Sequence, residues 1–295
     1  MMMKKRVAIL ASVLLTLFAA VCCASGGAIR AAEPTLAELF NAAVEDAKIA
    51  EEDEIRPLVT LARDDAMTEW NDKGQVKLYV LHNYPDSYIQ GQDYVTSYGE
   101  VWVFSGRELV EWFKTNDENA DDWNMRLKQL LGCPYEKDYG YFSAMWVTPA
   151  DVKRPAYEPD PTKQISALEL PVDVDPSFAE WFAKNEIYSY ETSAQPWTRL
   201  GYTYDWARYG KEYGLTEFLI KKDATVFVEK TDTVDALIEW LKQTKQPPAG
   251  SGGCDSSGSG IGLVGLLVLS LRARARWFCW PESPPRGERE NRARS

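Results

Sequence analysis

Val101-Trp102-Val103-Phe104 runs into Ser105-Gly106-Arg107-Glu108 and then into Leu109-Val110-Glu111-Trp112-Phe113-Lys114. The first four residues are β-branched or aromatic and fit a pleated, half-buried surface. Ser105 followed three positions later by Glu108 matches a capping box, which opens a helix through Lys114. A strand passing through a cap into an amphipathic helix sets the class, because its surroundings mix strands and helices without a regular β-α-β rhythm. That pattern predicts α+β architecture rather than a doubly wound parallel sheet. Val226-Phe227-Val228 ahead of Leu237-Ile238-Glu239-Trp240-Leu241-Lys242 echoes the same order. Two copies make no solenoid, and chance similarity between amphipathic helices accounts for the echo.

Upstream, Leu36, Leu39, Phe40, Ala43 and Ala47 predict an amphipathic helix over 35–49, followed by an acidic turn at Glu51 to Glu54. Val76 to Leu81 is strand-like and is stopped by His82-Asn83-Tyr84-Pro85-Asp86. Tyr94 to Phe104 reads as one β-rich segment. Asp121 and Asp122 begin a helix over Trp123 to Leu131, and Gly132-Cys133-Pro134 ends it. Tyr141 to Val147 is strand-like, and the prolines from Pro149 to Pro161 make an extended loop. Phe178 to Lys184 predicts a short helix. Leu215 to Ile220 and Thr225 to Glu229 predict a hairpin across Lys222-Asp223, and Asp232 is placed to cap a last helix over Val234 to Lys242. The expectation is one compact mixed domain with antiparallel hairpins over 33–245.

Composition bounds what that domain does. Residues 33–245 carry 22 Lys and Arg against 40 Asp and Glu, a net charge of −18. Such a surface repels phosphate backbones, which argues against nucleic acid as a partner. Cys133 is the domain's only cysteine, so no disulfide is available to it.

Both ends carry address signals. Lys4, Lys5 and Arg6 precede an apolar run from Val7 to Val21 and then small residues, the pattern of a secretory signal peptide over 1–32. After Lys245 comes a Pro/Gly/Ser linker over 246–260 containing Gly252, Gly253 and Cys254. An apolar stretch from Ile261 to Leu271 and the cations Arg272, Arg274 and Arg276 form an anchor over 261–276, and the Pro/Arg/Glu-rich composition of 277–295 predicts a disordered tail. Gly252-Gly253-Cys254, a short apolar segment and an arginine cluster resemble the Synergist-CTERM protein-sorting tails. The resemblance implies an envelope sorting peptidase as partner, processing near Cys254 and retention at the bacterial cell envelope through the membrane. His82 to Tyr88, Tyr98 to Phe104, Arg154-Pro155, the Pro196 to Trp206 run and Thr216-Glu217-Phe218 resemble an uncharacterised family of secreted bacterial proteins. That second resemblance implies no activity, but it suggests that these segments converge.

For chemistry, His82 is the chain's one histidine. It is the first candidate for a general base, although a structural, hydrogen-bonding histidine at a strand end is the more common occupant of such a position. Glu217 is the candidate partner carboxylate. Cys133 has the helix-terminating context of a packing residue rather than a nucleophile. In Trp197-Thr198-Arg199-Leu200-Gly201-Tyr202-Thr203-Tyr204-Asp205-Trp206, aromatic and polar residues alternate. Arg199 and Asp205 are expected to pair or to engage a ligand. With Tyr84, Tyr202 and Tyr204 they are the ligand-binding candidates, the aromatic faces suiting a sugar and Arg199 an acidic group. The same aromatics would otherwise pack a core. Asp117, Asn119 and Asp121 have calcium-loop spacing, but Asp122 stands where the turn glycine belongs and Lys128 where the bidentate Glu belongs. No metal or cofactor is expected. The leading expectation is a surface binding domain; the alternative is an extracytoplasmic hydrolase or transferase using His82, Glu217 and Arg199.

Overall fold

The computed structural model describes residues 33–116, 120–208 and 212–245. The leader, linker, anchor and tail expectations, and the calcium-loop positions Asp117 and Asn119, lie outside the described residues. Within them the strands are β1 Val76–His82, β2 Asp93–Val95, β3 Val101–Phe104, β4 Tyr141–Val147, β5 Val152–Lys153, β6 Tyr202–Asp205, β7 Glu212–Ile220 and β8 Thr225–Thr233. The helices are α1 Leu36–Asp46, α2 Gly106–Thr115, α3 Trp123–Leu130, α4 Pro176–Ile187 and α5 Val234–Lys245. The class is α+β: the strands form one sheet in the order β2-β8-β4-β1-β3-β7-β5, with β6 also on β7, and every pairing is antiparallel. All described residues belong to one compact unit. No helix among them is long and apolar enough to cross a membrane.

The expected hairpin across Lys222-Asp223 is absent. Both of its strands exist, but β7 pairs with β3, β5 and β6, whereas β8 pairs with β2 and β4. The strand order puts four interstrand spacings between them, about 19 Å in a flat sheet. The connection from Ile220 to Thr225 reaches at most about 16–18 Å. The sheet therefore curls, and its inner face closes on itself. Val76, Leu78 and Val80 of β1, Val103 of β3, Met145 and Val147 of β4, Phe218 and Ile220 of β7, and Val226 and Val228 of β8 all join one buried cluster. The short connection is pinned from inside, since Thr96 exchanges backbone hydrogen bonds with Asp223 and Ala224. The hairpin that does form joins β6 to β7.

The Val101–Lys114 stretch behaves largely as its sequence implies. Ser105 is the N-cap of α2, accepting from the Glu108 amide. Only half of the expected capping box forms, because the Glu108 carboxylate turns away to Thr216. Gly106 is there for space: a Cβ at this position would lie 2.2 Å from a ring carbon of Tyr79. Helices α2, α3 and α5 cover part of the outer face, burying Leu109, Phe113, Leu127, Leu130, Leu237 and Leu241 with Phe104 and Phe142. Tyr94 to Phe104 is two strands rather than one, with β2 and β3 in separate parts of the sheet. Thr233, not Asp232, caps α5 by accepting from the Ala236 amide. On the remaining flank, α1 packs Phe40, Ala43 and Val44 against Tyr204 and Trp206.

Candidate functional site

His82 ends β1 on the inner face and is only 4 % exposed. The Tyr84 amide donates to its Nδ1 at 3.0 Å, so the ring proton sits on Nε2, which donates to Ser143 Oγ at 2.8 Å. Ser143 in turn donates to Thr231 Oγ1 at 2.7 Å, and Thr231 donates to the Tyr88 carbonyl at 2.5 Å. The chain is determined from both ends, because an amide can only donate and a carbonyl can only accept. Tyr88 stacks on the ring at 4.4 Å. Burial without a carboxylate partner pulls His82 down to about 4. It is a neutral, fully engaged structural histidine.

The aromatic-polar run is also interior. Trp197, Tyr202, Tyr204 and Trp206 are buried. Arg199 and Asp205 do not pair. Asp205 takes a two-pronged ion pair from Arg126, at 2.9 and 2.7 Å, with both side chains enclosed. Arg199 donates from Nη1 to Glu186 at 2.5 Å and from Nη2 to the carbonyls of Ala47 and Lys48. Tyr204 donates to Asp46, and Tyr202 to the Glu54 carbonyl. Glu217 is buried in β7, and desolvation holds its carboxyl well above the usual range, opposed chiefly by the charge of Arg154. Of the candidates only Tyr84, 46 % exposed, offers its ring to solvent. His82, Arg199 and Glu217 share no hydrogen-bonding partner. The thiol of the half-buried Cys133 is pushed up to about 12, chiefly by desolvation, so it is no thiolate nucleophile.

Among the described residues, one group is close enough to share a cation: oxygens of Asp46, Glu54 and Glu212 lie within 4.8 Å of one another. Burial first, then mutual repulsion, raises Glu54 and Glu212 above the ordinary carboxylate range. Asp46 already accepts from Tyr204 there.

An open concavity lies elsewhere among the described residues, between β5, the Pro-rich loop and the start of α4. It is a cleft of about 380 Å³, within the size range of small-molecule sites. Pro159, Pro171 and Val174 supply its apolar surface, and Phe178, which also lines it, is only 3 % exposed. Phe178 is backed by Trp181 and Phe182, with ring centroids at 5.3 and 6.1 Å. Lys153, Asp160, Asp173 and Asp175 supply its charges. Asp175 caps α4, and the Ser177 hydroxyl and amide donating to its Oδ1 hold it below the ordinary carboxylate range. Asp160 is lowered too: against desolvation, the Thr162 amide and hydroxyl donate to its Oδ1. The Lys153 ammonium sits 5.2 Å from the Phe178 ring centroid.

Comparison with protein-family models, curated proteins and solved structures finds no match.

The sequence reading passed over the cleft because its residues fall in a proline-rich connection and at a helix cap, where each has an ordinary local reason to be present. The available signal was the alternation Asp173-Val174-Asp175 before Pro176, next to an edge strand bearing Lys153.

Proposed function

We propose that this chain is an exported domain, retained at the bacterial cell envelope by its C-terminal segment, that binds a small ligand in the cleft beside Phe178 without turning it over. The observation that carries the binding reading is how the two kinds of residue are distributed. The groups the hydrolase or transferase alternative would use, His82, Glu217 and Arg199, are all buried, and His82 and Arg199 are bonded to their own fold. The open concavity instead combines an apolar wall with ionised carboxylates, as a recognition site does. The charge balance of the domain disfavours nucleic acid. The leader and the Gly252-Gly253-Cys254 tail support export, a sorting peptidase as partner and attachment through the membrane.

Retention is tested by fractionating cells that express the full chain or a variant lacking Ile261 to Arg276. The variant is expected in the medium and the full chain with the envelope. A variant that stays cell-associated would show that this tail is not the anchor.

A further inference from the structure

Trp197 has a single indole N–H, and two acceptors stand beside it. Nε1 donates to the Pro155 carbonyl at 2.9 Å. The same N–H also reaches the Glu217 carboxyl, where it favours the ionised form. Glu217 is only 6 % exposed, and its Oε1 has no hydrogen-bond partner among the described residues. We propose that these three groups form a pH-sensitive switch: when Glu217 loses its proton, the Trp197 N–H leaves the Pro155 carbonyl for the Glu217 carboxylate, and the aromatic stack built on Trp197 moves with it. The switch needs no ligand, so it stands or falls apart from the binding reading above.

Three features of the structure support it. First, the two acceptors change rank with protonation. A neutral carboxyl and a peptide carbonyl bind an N–H comparably, whereas a hydrogen bond to a carboxylate is roughly twice as strong. A buried carboxylate without donors is costly, so ionisation calls for a new bond. Second, the surroundings leave Glu217 few other partners. Phe104 lies opposite it on β3, and α4 brings Phe178 and Phe182 against Trp197. The charged groups of the neighbouring elements are engaged elsewhere: Lys153 of β5 over Phe178, Glu108 of α2 with Thr216, Arg199 with Glu186, and Glu180 with Lys184 on the exposed side of α4. Arg154 favours the ionised form of Glu217, but burial outweighs it, and its Nη2 is held by the carbonyls of Val59, Pro161 and Lys163. Third, the Trp197 ring passes its position on. Its centroid lies 4.8 Å from Phe182, 6.0 Å from Trp181 and 6.1 Å from Trp102. Trp102 is 38 % exposed, so a movement of Trp197 reaches the surface.

The indole N–H resonances of the full-length chain, with isotope-labelled tryptophans, report the switch directly in a pH titration by NMR. As pH rises, the Trp197 proton is expected to move downfield, the mark of a charge-assisted bond, and the Trp102 and Trp181 signals to follow on the same midpoint. Glu217→Gln, or Glu217→Met should the amide prove unstable, is expected to hold all three signals still. Glu108 is a second carboxyl raised by burial, at about 7, so Glu108→Gln serves as the control and should leave the movement intact. Persistence of the movement in the Glu217 variants, or its loss in Glu108→Gln, overturns the switch. A fixed Trp197 signal in the parent overturns it too, because Glu217 would then stay protonated or turn to Arg154, whose Nε and Nη1 have no partner among the described residues.

Discussion

At the scale of single residues, polar side chains of this protein find partners that sequence proximity does not indicate. Arg199 and Asp205 stand six positions apart, yet Asp205 is held by Arg126 of α3, and Arg199 holds Glu186 and the end of α1. A buried ion pair pays its desolvation cost only with good geometry, and the two-pronged Arg126–Asp205 contact has it. His82 makes the same point with consequences for chemistry. A general base needs a free lone pair and access to a substrate, and this ring has its Nδ1 lone pair committed to the Tyr84 amide. Its imidazole resonances are expected to stay those of the neutral Nε2–H tautomer down to about pH 4, as measured by NMR titration. Titration near 6.5 with fast exchange of the Nε2 proton would mean an open ring, and would return the hydrolase reading to contention.

At the scale of elements, Thr216 of β7 ties three pieces together. Its hydroxyl donates to Glu108 of α2 at 2.9 Å and accepts from the Val59 amide at 3.0 Å, while its own amide donates to Glu108. Thr216→Val keeps the shape but leaves the Val59 N–H without an acceptor and Glu108 with one donor fewer. The expected loss is about 1–3 kcal/mol in urea unfolding, with faster hydrogen exchange at Val59 than at β1 amides. Unchanged protection of Val59 would show that the connection is not structural. The same residues mark the limit of what the sequence discloses. Helices α1, α2 and α3 and strands β1, β4, β7 and β8 were legible because each has its own periodicity, cap or breaker. Their pairing was not: a four-residue link between apolar strands reads as a hairpin, and only the curl of the sheet separates β7 from β8. The capping-box motif at Ser105 was legible too, but not that Glu108 would leave it for Thr216. The Trp197 to Trp206 run misdirected the search for a site for a related reason, since alternating aromatic and polar residues describe a binding strand and a β-strand in a core equally well.

At the scale of the whole molecule, two buried titrations oppose each other. His82 has a folded value of about 4 against an ordinary 6.5, so the stability it allows is complete above 6.5 and is lost as pH falls through 4. Glu108 is pushed up to about 7 from 4.5, chiefly by desolvation and against its bonds to Thr216. Its contribution is complete below 4.5 and is lost as pH rises to 7. Each shift corresponds to about 3 kcal/mol, so between pH 4.5 and 6.5 the two slopes largely cancel. Glu217, raised in the same direction as Glu108, adds to the loss on the alkaline side. Repulsion within the acidic surface relaxes on acidification in every variant alike, so differences between variants isolate the buried groups. Glu108→Gln removes the cost of a buried charge at neutral pH and leaves His82 in command. Its urea midpoint, relative to the parent, is expected to gain at pH 7 and to lose that advantage towards pH 4.5. His82→Gln should do the reverse: whatever the substitution costs at pH 7, the variant should recover about 3 kcal/mol relative to the parent by pH 4. Parallel curves for parent and both variants would mean that neither group changes its protonation on folding. Opposite slopes would establish that a histidine on the inner face and a carboxylate of α2 together set the pH range in which this domain stays folded.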